Sequence, residues 1–186
     1  RPMNLLPPAA GRGWTTVPTK SGSHEVVVMC ALGQMYMGNW DAPWPVVERV
    51  LREASHASKI RVMDFHAEAS SEKIAMGWLL NGRASVVFGT HTHIPTADYR
   101  VLDGGTAYVS DLGMTGPYDG VLGRRKDRVL KALTTSMPQH FEVCTGDPRM
   151  CGVLVDVDPS TGKALSIERV EVCGRIQEGG AYDADD

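Results

Sequence analysis

Three histidines are spaced in a way that could hold a metal ion. His91 and His93 are separated by one residue in the segment 89–93 (GTHTH), and His66 lies in the segment 64–68 (DFHAE). In an extended segment, side chains two residues apart point to the same side, so His91 and His93 would present two imidazoles to one cavity. His66 could complete the set, because imidazole nitrogens bind transition metals at about 2.0–2.1 Å. The pattern therefore predicts a metal site.

Each group of histidines also has an ordinary structural explanation. An isolated HxH can be a surface feature, and a lone His66 can be a hydrogen-bonded core residue. The two groups together, next to Gly89 and Thr90 where the backbone can turn tightly, favour metal binding. Neutral imidazoles without a thiolate or carboxylate suit zinc, iron or manganese better than calcium or magnesium. They could form a complete mononuclear hydrolytic site, or part of a two-metal site whose other ligands lie elsewhere.

The segments that carry these histidines predict an α/β sheet. Three short apolar runs are typical of strands buried on both faces: 25–32 (EVVVMCAL), 59–65 (KIRVMDF) and 84–88 (ASVVF). Helical spacing between the runs predicts helices over residues 43–54 and 70–80. The histidines then lie at the carboxyl ends of the second and third strands, the edge where open α/β sheets bind their ligands.

The second half of the chain has a different pattern. Its predicted elements are a short strand, a glycine-rich loop, a helix and an antiparallel hairpin, at residues 107–110, 113–117, 128–135 and 152–172. Length and composition predict a single domain over residues 1–176. The glycine-rich and acidic residues 177–186 are predicted to form a disordered tail.

The bulk composition argues against some classes of protein. With 42% hydrophobic and 22% charged residues, the 186-residue chain has the composition of a globular protein. The net charge of -3, without a basic run longer than residues 124–126, argues against binding of a nucleic-acid polymer. No apolar stretch approaches the roughly 20 residues that cross a bilayer, which predicts a cytoplasmic protein without a membrane partner. The cysteines form no CxxC pair, which predicts free thiols.

Several segments together resemble the YmdB-like branch of the calcineurin-like metallophosphoesterases. The matching segments are 64–73 (DFHAEASSEK), 75–78 (AMGW), 89–93 (GTHTH), 96–98 (TAD), 104–108 (GGTAY) and 113–119 (GMTGPYD). The resemblance extends over most of residues 11–172 and is most specific between Asp64 and Asp119. Because it rests on motifs, it carries expectations for individual residues.

The resemblance implies an α/β fold, here a partial four-layer αββα sandwich of the metallophosphoesterase type. It also implies a dinuclear centre of two divalent transition metal ions (Fe, Mn or Zn) that hydrolyses phosphodiesters such as 2′,3′-cyclic or 3′,5′-cyclic nucleotides. By position, His66 and His91 would bind one metal and His93 the other. The nucleophile would be a hydroxide shared by the metals, so no side chain of this chain is assigned a catalytic role.

The chain departs from the family pattern at its beginning. Family members begin with a strand that bears an aspartate, followed by a Glu-Asn pair and a Gly-Asn-His motif, and this sequence contains none of them. We therefore expect the carboxyl-terminal part of a metallophosphoesterase domain, poorly active or inactive alone, whose general acid lies on the missing segment. Residues 38–41 (GNWD) look like the third motif but follow the strand at 25–32, a region that comes after the true motif in the family. We interpret them as a loop.

Further residues are candidates for supporting the histidines or the substrate. Asp64, Glu68 and Asp98 could orient imidazoles through hydrogen bonds, with a helix cap or a surface ion pair as the structural alternative. Thr115 and Gly116 lie in the glycine-rich loop, whose amides could face an anion, and are candidates for contacting the phosphate.

Two other functions stay open at this point. HxH with a distant histidine also describes a self-contained three-histidine zinc hydrolase, which would hold one ion per chain where the dinuclear enzyme holds two. The other is a catalytically inactive metal-binding regulatory module that acts through partners. For an enzyme we expect a small-molecule phosphodiester substrate, and an exposed sheet edge leaves association into a homo-oligomer open.

Overall fold

A computed structural model describes residues 1–6 and 9–174 of the chain. Its strands are β1 (Trp14–Pro18), β2 (Glu25–Leu32), β3 (Ile60–His66), β4 (Val86–Thr90), β5 (Arg100–Val101), β6 (Ala107–Val109), β7 (Thr115–Pro117), β8 (Pro148–Val157) and β9 (Ala164–Cys173). Its helices are α1 (Pro43–Glu53), α2 (Ser70–Leu79) and α3 (Lys126–Thr135). The alternation of strands and helices confirms the predicted α/β class.

Among the described residues the strands form two sheets. The larger sheet has six strands in the order β1-β2-β3-β4-β6-β5, and the smaller has the order β7-β8-β9. In the larger sheet β2, β3, β4 and β6 are parallel, whereas β1 and β5 pair antiparallel at the edges. Parallel neighbours end at the same edge, so Leu32 pairs with His66 and His66 pairs with Thr90. The edge predicted to carry the histidines is therefore formed.

Apolar side chains pack on both faces of the six-stranded sheet. Successive residues of a strand point to opposite faces, and Val86 and Val87 accordingly belong to different clusters. The larger cluster includes Val87 and Phe65 and joins the sheet to α1 and α2. The smaller cluster includes Val86 and packs Ala107 against Ala164 of β9. Burial of this surface stabilises the sheet and fixes the positions of its strand ends.

Several local predictions differ from the structure. Val28 of β2 is exposed while Val27 and Met29 are buried, so the prediction of a strand buried on both faces is wrong there. A continuous apolar run does not reveal which face is covered. The predicted loop at 113–117 is also partly wrong, because β7 pairs antiparallel with β8. The edge strands β1 and β5 were not predicted from the sequence, because edge strands need no long apolar run.

The chain divides into two compact units. Among the described residues, the first contains those of Arg1–Gly113 and Gly152–Arg169, and the second contains Met114–Cys151 and residues 170–174. The single domain over residues 1–176 stays a prediction, and the predicted tail at 177–186 lies outside the described residues. Within the described part of the chain, no helix is long and apolar enough to cross a membrane.

Candidate metal centre

The histidine loop, residues 91–93, begins directly after β4 ends at Thr90. His91 and His93 have φ angles of 126° and 64°, both in the left-handed region. The loop is therefore not extended. The alternation of side chains along an extended strand, from which we predicted two imidazoles on one side, does not apply to it. Left-handed backbone is uncommon for residues that carry a Cβ, and it persists where surrounding contacts enforce it.

His66 and His91 lie side by side at the carboxyl edge of the sheet. Nε2 of His66 is 3.2 Å from Nδ1 of His91, and the ring centroids are 5.0 Å apart in an edge-on arrangement. The hydroxyl of Thr90 lies 3.0 Å from Nδ1 of His66 and donates to Asp64 at 3.1 Å. Asp64 thus acts on His66 through Thr90.

Glu68 contacts His91 directly. Its Oε2 atom lies 2.5 Å from Nε2 of His91. A carboxylate oxygen accepts hydrogen bonds, so Nε2 of His91 is the donor in this contact. Because Thr90 already donates its hydroxyl hydrogen, it accepts from Nδ1 of His66. When both rings are neutral, these hydrogen bonds leave Nε2 of His66 and Nδ1 of His91 without a proton and facing each other.

Burial affects the titration of this group of side chains. It lowers the pKa of His66, and the neighbouring His91 lowers it further. The neutral imidazole, the form that binds metal, is therefore favoured. Burial also raises the pKa of Asp64. Burial first, and then the charge of Asp64, raise the pKa of Cys30 to about 11, so Cys30 is a protonated thiol at neutral pH.

The paired histidines fit the requirements of a metal ligand pair. Two facing lone pairs repel each other unless a proton or a metal ion lies between them. Nitrogens that bind one tetrahedral ion at about 2.0–2.1 Å are about 3.3 Å apart, and the observed separation is 3.2 Å. Hydrogen bonds such as those from Thr90 and Glu68 are the kind that orient metal-binding imidazoles. Among the described residues, however, no group of three or more His, Cys, Asp or Glu side chains is arranged to hold a metal.

The other predicted support residues lie in different places. Asp98 accepts hydrogen bonds from Thr96 at 2.6 Å and from the hydroxyl of Ser110 at 2.5 Å, so it ties the segment after the histidine loop to the end of β6. Although burial opposes ionisation, these hydrogen bonds keep the pKa of Asp98 below its usual range. Thr115 and Gly116 belong to the second compact unit, and their contact with phosphate stays a prediction.

The remaining histidines and the GNWD segment can also be placed. His93 is exposed in the histidine loop. The histidines outside the predicted site are also exposed, namely His24, His56 and His140. Residues 38–41 lie in the connection between β2 and α1, which confirms their interpretation as a loop.

A buried ion pair next to the histidine loop was not predicted from the sequence. Nζ of Lys73 lies 2.9 Å from Oδ2 of Asp111, and the two side chains are only 2% and 1% exposed. The same oxygen accepts the amide of Thr92, which lies between His91 and His93, at 2.9 Å. A signal existed in the helical spacing, because Lys73 lies three residues before the buried Met76 on the face of α2 that packs inward.

The fold and the paired histidines define an α/β protein with a candidate metal site at the carboxyl edge of its sheet. A family model described as YmdB-like protein matches residues 1–170. The 2′,3′-cyclic-nucleotide 2′-phosphodiesterase of Bacillus subtilis (strain 168) is 43% identical over 170 residues, which cover 91% of this chain and 64% of that protein. The chain belongs to the YmdB-like protein family, and it spans less than two thirds of the Bacillus relative.

Solved structures agree with this assignment. A crystal structure of a hypothetical protein from Thermus thermophilus matches with a TM-score of 0.86 and 31% identity, covering 94% of this chain and 67% of that one. A crystal structure of a novel phosphatase from Mycoplasma pneumoniae matches with a TM-score of 0.83 and 29% identity, covering 93% and 63% of the respective chains. Both similarities support the α/β architecture described above.

Proposed function

We propose that this chain carries part of the active site of a metal-dependent phosphodiesterase. The observation that carries the proposal is the approach of Nε2 of His66 to Nδ1 of His91 at 3.2 Å. In the proposed dinuclear centre these two histidines bind one metal and His93 binds the other. The metals are Fe, Mn or Zn, in keeping with imidazole ligands.

The protein's own residues hold and orient the imidazoles. Thr90, itself hydrogen-bonded to Asp64, fixes the ring of His66, and Glu68 fixes the ring of His91. Both contacts keep a proton on the nitrogen that faces away from the partner ring, which leaves the other nitrogen free to bind. Bound divalent ions would supply Lewis acidity and make water a stronger nucleophile at neutral pH.

The proposed substrates are small phosphodiesters, in particular 2′,3′-cyclic or 3′,5′-cyclic nucleotides. The name of the Bacillus relative, a 2′,3′-cyclic-nucleotide 2′-phosphodiesterase, supports the first of these. We further propose that the complete domain is a four-layer αββα sandwich, that Thr115 and Gly116 contact the phosphate, and that the protein acts in the cytoplasm. Association into a homo-oligomer also stays a prediction.

The ligand assignment is tested by comparing two histidine substitutions. We expect His91→Ala to weaken zinc binding strongly, because it removes one of the paired nitrogens. His140→Ala is the matched control, because His140 is exposed in the second unit. Titration calorimetry with zinc measures both variants, and equal losses of affinity would remove the assignment.

The dinuclear proposal is tested by metal stoichiometry and turnover together. Elemental analysis and an assay with 2′,3′-cyclic nucleotides would be applied to this chain and to a version extended with an amino-terminal family segment. We expect two metals and turnover in the extended protein. One tight metal with full activity in the present chain would instead favour a self-contained three-histidine hydrolase. Undetectable turnover in the extended protein would favour a regulatory metal-binding module.

A further inference from the structure

Asp111 connects three separate parts of the first unit. Its Oδ2 atom binds Lys73 of α2 and the amide of Thr92 in the histidine loop, both at 2.9 Å. Its Oδ1 atom accepts the amide of Gly113 at 2.9 Å. The backbone of Asp111 is also tied to Thr96, by one hydrogen bond of 2.9 Å and another of 3.0 Å. A single carboxylate therefore joins a helix, the histidine loop and the chain that follows β6.

Stability alone is a weak reason for burying this ion pair. Replacing a buried pair by apolar residues of similar volume is often neutral or stabilising, because the charges must be removed from water. What apolar residues could not supply is an acceptor for the amide of Thr92. The hydrogen bond from the Thr92 amide to Asp111 therefore points to a role for this carboxylate other than stability.

The backbone on both sides of Thr92 is strained. His91 and His93 have left-handed φ angles, which are unfavourable for residues with a Cβ. The Thr92 amide lies between these two residues, so a hydrogen bond at this point constrains both. Without it, the loop would be free to relax toward ordinary backbone conformations and carry the imidazole of His91 away from His66.

Asp111 is ionised when it accepts these hydrogen bonds. Burial opposes ionisation, but hydrogen bonds from Thr92, Lys73 and Gly113 outweigh it and hold the pKa of Asp111 below its usual range. Lys73 reaches the carboxylate because position 89 is glycine. A Cβ at Gly89 would lie 2.8 Å from Cδ of Lys73 and would overlap the backbone oxygen of Ser110.

We propose that Asp111 and Lys73 are positioning residues that hold the Thr92 amide and thereby place His91 against His66. Asp111 supplies the acceptor, and Lys73 orients and neutralises the carboxylate. The consequence for metal affinity rests on the proposed function, whereas the placement of the two rings does not.

The placement is tested first without metal. Nuclear magnetic resonance of the isotopically labelled native chain should detect contact between the rings of His66 and His91. We expect Asp111→Ala to abolish this contact. The matched control is Thr106→Val. Thr106 is fully buried directly before β6, at the end of this strand opposite to Asp111, and its hydroxyl forms hydrogen bonds with the backbone of Gly82 and Ala84. This control should keep the ring contact although it also loses buried hydrogen bonds.

Zinc titration of the same proteins supplies the second measurement. We expect Asp111→Ala to lower zinc affinity about 10- to 100-fold, as loss of a residue that orients metal ligands does, and Thr106→Val to leave it unchanged. Native ring contact in folded Asp111→Ala, or equal losses in both variants, would overturn the positioning role. If the native chain binds no zinc while the ring contact still depends on Asp111, the proposed metal function fails and the positioning role stands.

A double variant covers the case in which Asp111→Ala does not fold. Combining Lys73→Met with Asp111→Asn removes both charges, so no unpaired charge is buried. The asparagine oxygen can accept one amide but not both of the amides that the carboxylate holds. We expect this variant to fold, to bind zinc more weakly than the native chain and to keep the ring contact only in part. Native zinc affinity together with a native ring contact would contradict the proposal.

Discussion

Charged side chains are used differently in the two compact units. In the first unit, Lys73 and Asp111 pair at 2.9 Å and are almost completely buried. In the second unit, Lys126 and Asp119 pair at 2.6 Å, yet their side chains are 60% and 58% exposed. The shorter ion pair is thus the one in water, where screening and side-chain entropy remove most of its value. Burial, and not the distance between the charged atoms, therefore decides which ion pair affects the free energy of unfolding.

Two of the thiols, Cys30 and Cys173, also differ in exposure. Cys30 is half-buried in the first unit beside Asp64, whereas Cys173 is exposed in the second unit. Lys73, Asp111 and Cys30 all lie in the first unit, which also contains the candidate metal centre. Substitutions that are chemically matched between the units can test this difference.

The largest effect is expected from Lys73→Met. The substitution leaves the carboxylate of Asp111 buried without its cation, and loss of one partner of a buried pair costs about 3–5 kcal/mol of unfolding free energy. Urea denaturation followed by circular dichroism measures this change. An unfolding free energy equal to that of the native chain would show that water or another group satisfies Asp111.

A large kinetic difference is expected between the cysteines. With a pKa of about 11, Cys30 is ionised at pH 8 to only about 0.1%, whereas an ordinary thiol is ionised to about 25%. Iodoacetamide should therefore modify Cys30 at least about 100-fold more slowly than Cys173. The rate for Cys30 should rise with pH up to about 11. Mass spectrometry of peptides after timed labelling measures both rates, and equal rates at pH 8 would refute the expected protection.

A smaller effect is expected from Gly89→Ala. The new Cβ would meet the backbone oxygen of Ser110 and the stem of Lys73, so overpacking should cost about 1–3 kcal/mol. Gly116→Ala in the second unit is the control, because the nearest atom to its Cβ position is 3.9 Å away. Thermal denaturation compares the two variants. Equal melting temperatures would mean that the close approach at Gly89 relaxes without cost.

The smallest effect is expected from Lys126→Met, the exposed counterpart of Lys73→Met. Lys126 pairs with Asp119 in water, so its loss should not change the urea midpoint measurably. The measurement is the same denaturation experiment. A loss as large as that of Lys73→Met would break the distinction between the two units.

Much of the sheet was predictable because its signals are local. The apolar runs of β2 and β3, and the helical spacing of α1 and α2, fall within a residue or so of the observed bounds. β5 was not predicted and β7 was predicted as a loop, because strands of two or three residues have no periodicity to detect. Their pairing with β6 and β8 is a long-range event that local patterns do not encode.

The candidate site was predictable only in part. Strand ends brought His66 and His91 together as expected, because parallel strands end at a common edge. The left-handed φ angles of the histidine loop were not expected, since HxH alone favours no backbone conformation. Asp111 was overlooked because nothing near it in the sequence suggests a partner.

The sequence by itself determined the α/β class, the central strands β2, β3 and β4 and the position of the histidines at strand ends, because each depends on patterns within a few residues. The tertiary structure decided which nitrogens of His66 and His91 face each other and what holds the loop between them. Lys73, Thr92 and Asp111 are about 20 residues apart along the chain, and only packing of α2 beside β4 and β6 brings their polar atoms within 2.9 Å. Buried hydrogen bonds of this kind depend on three-dimensional proximity, so the folded protein and not the local sequence selects them.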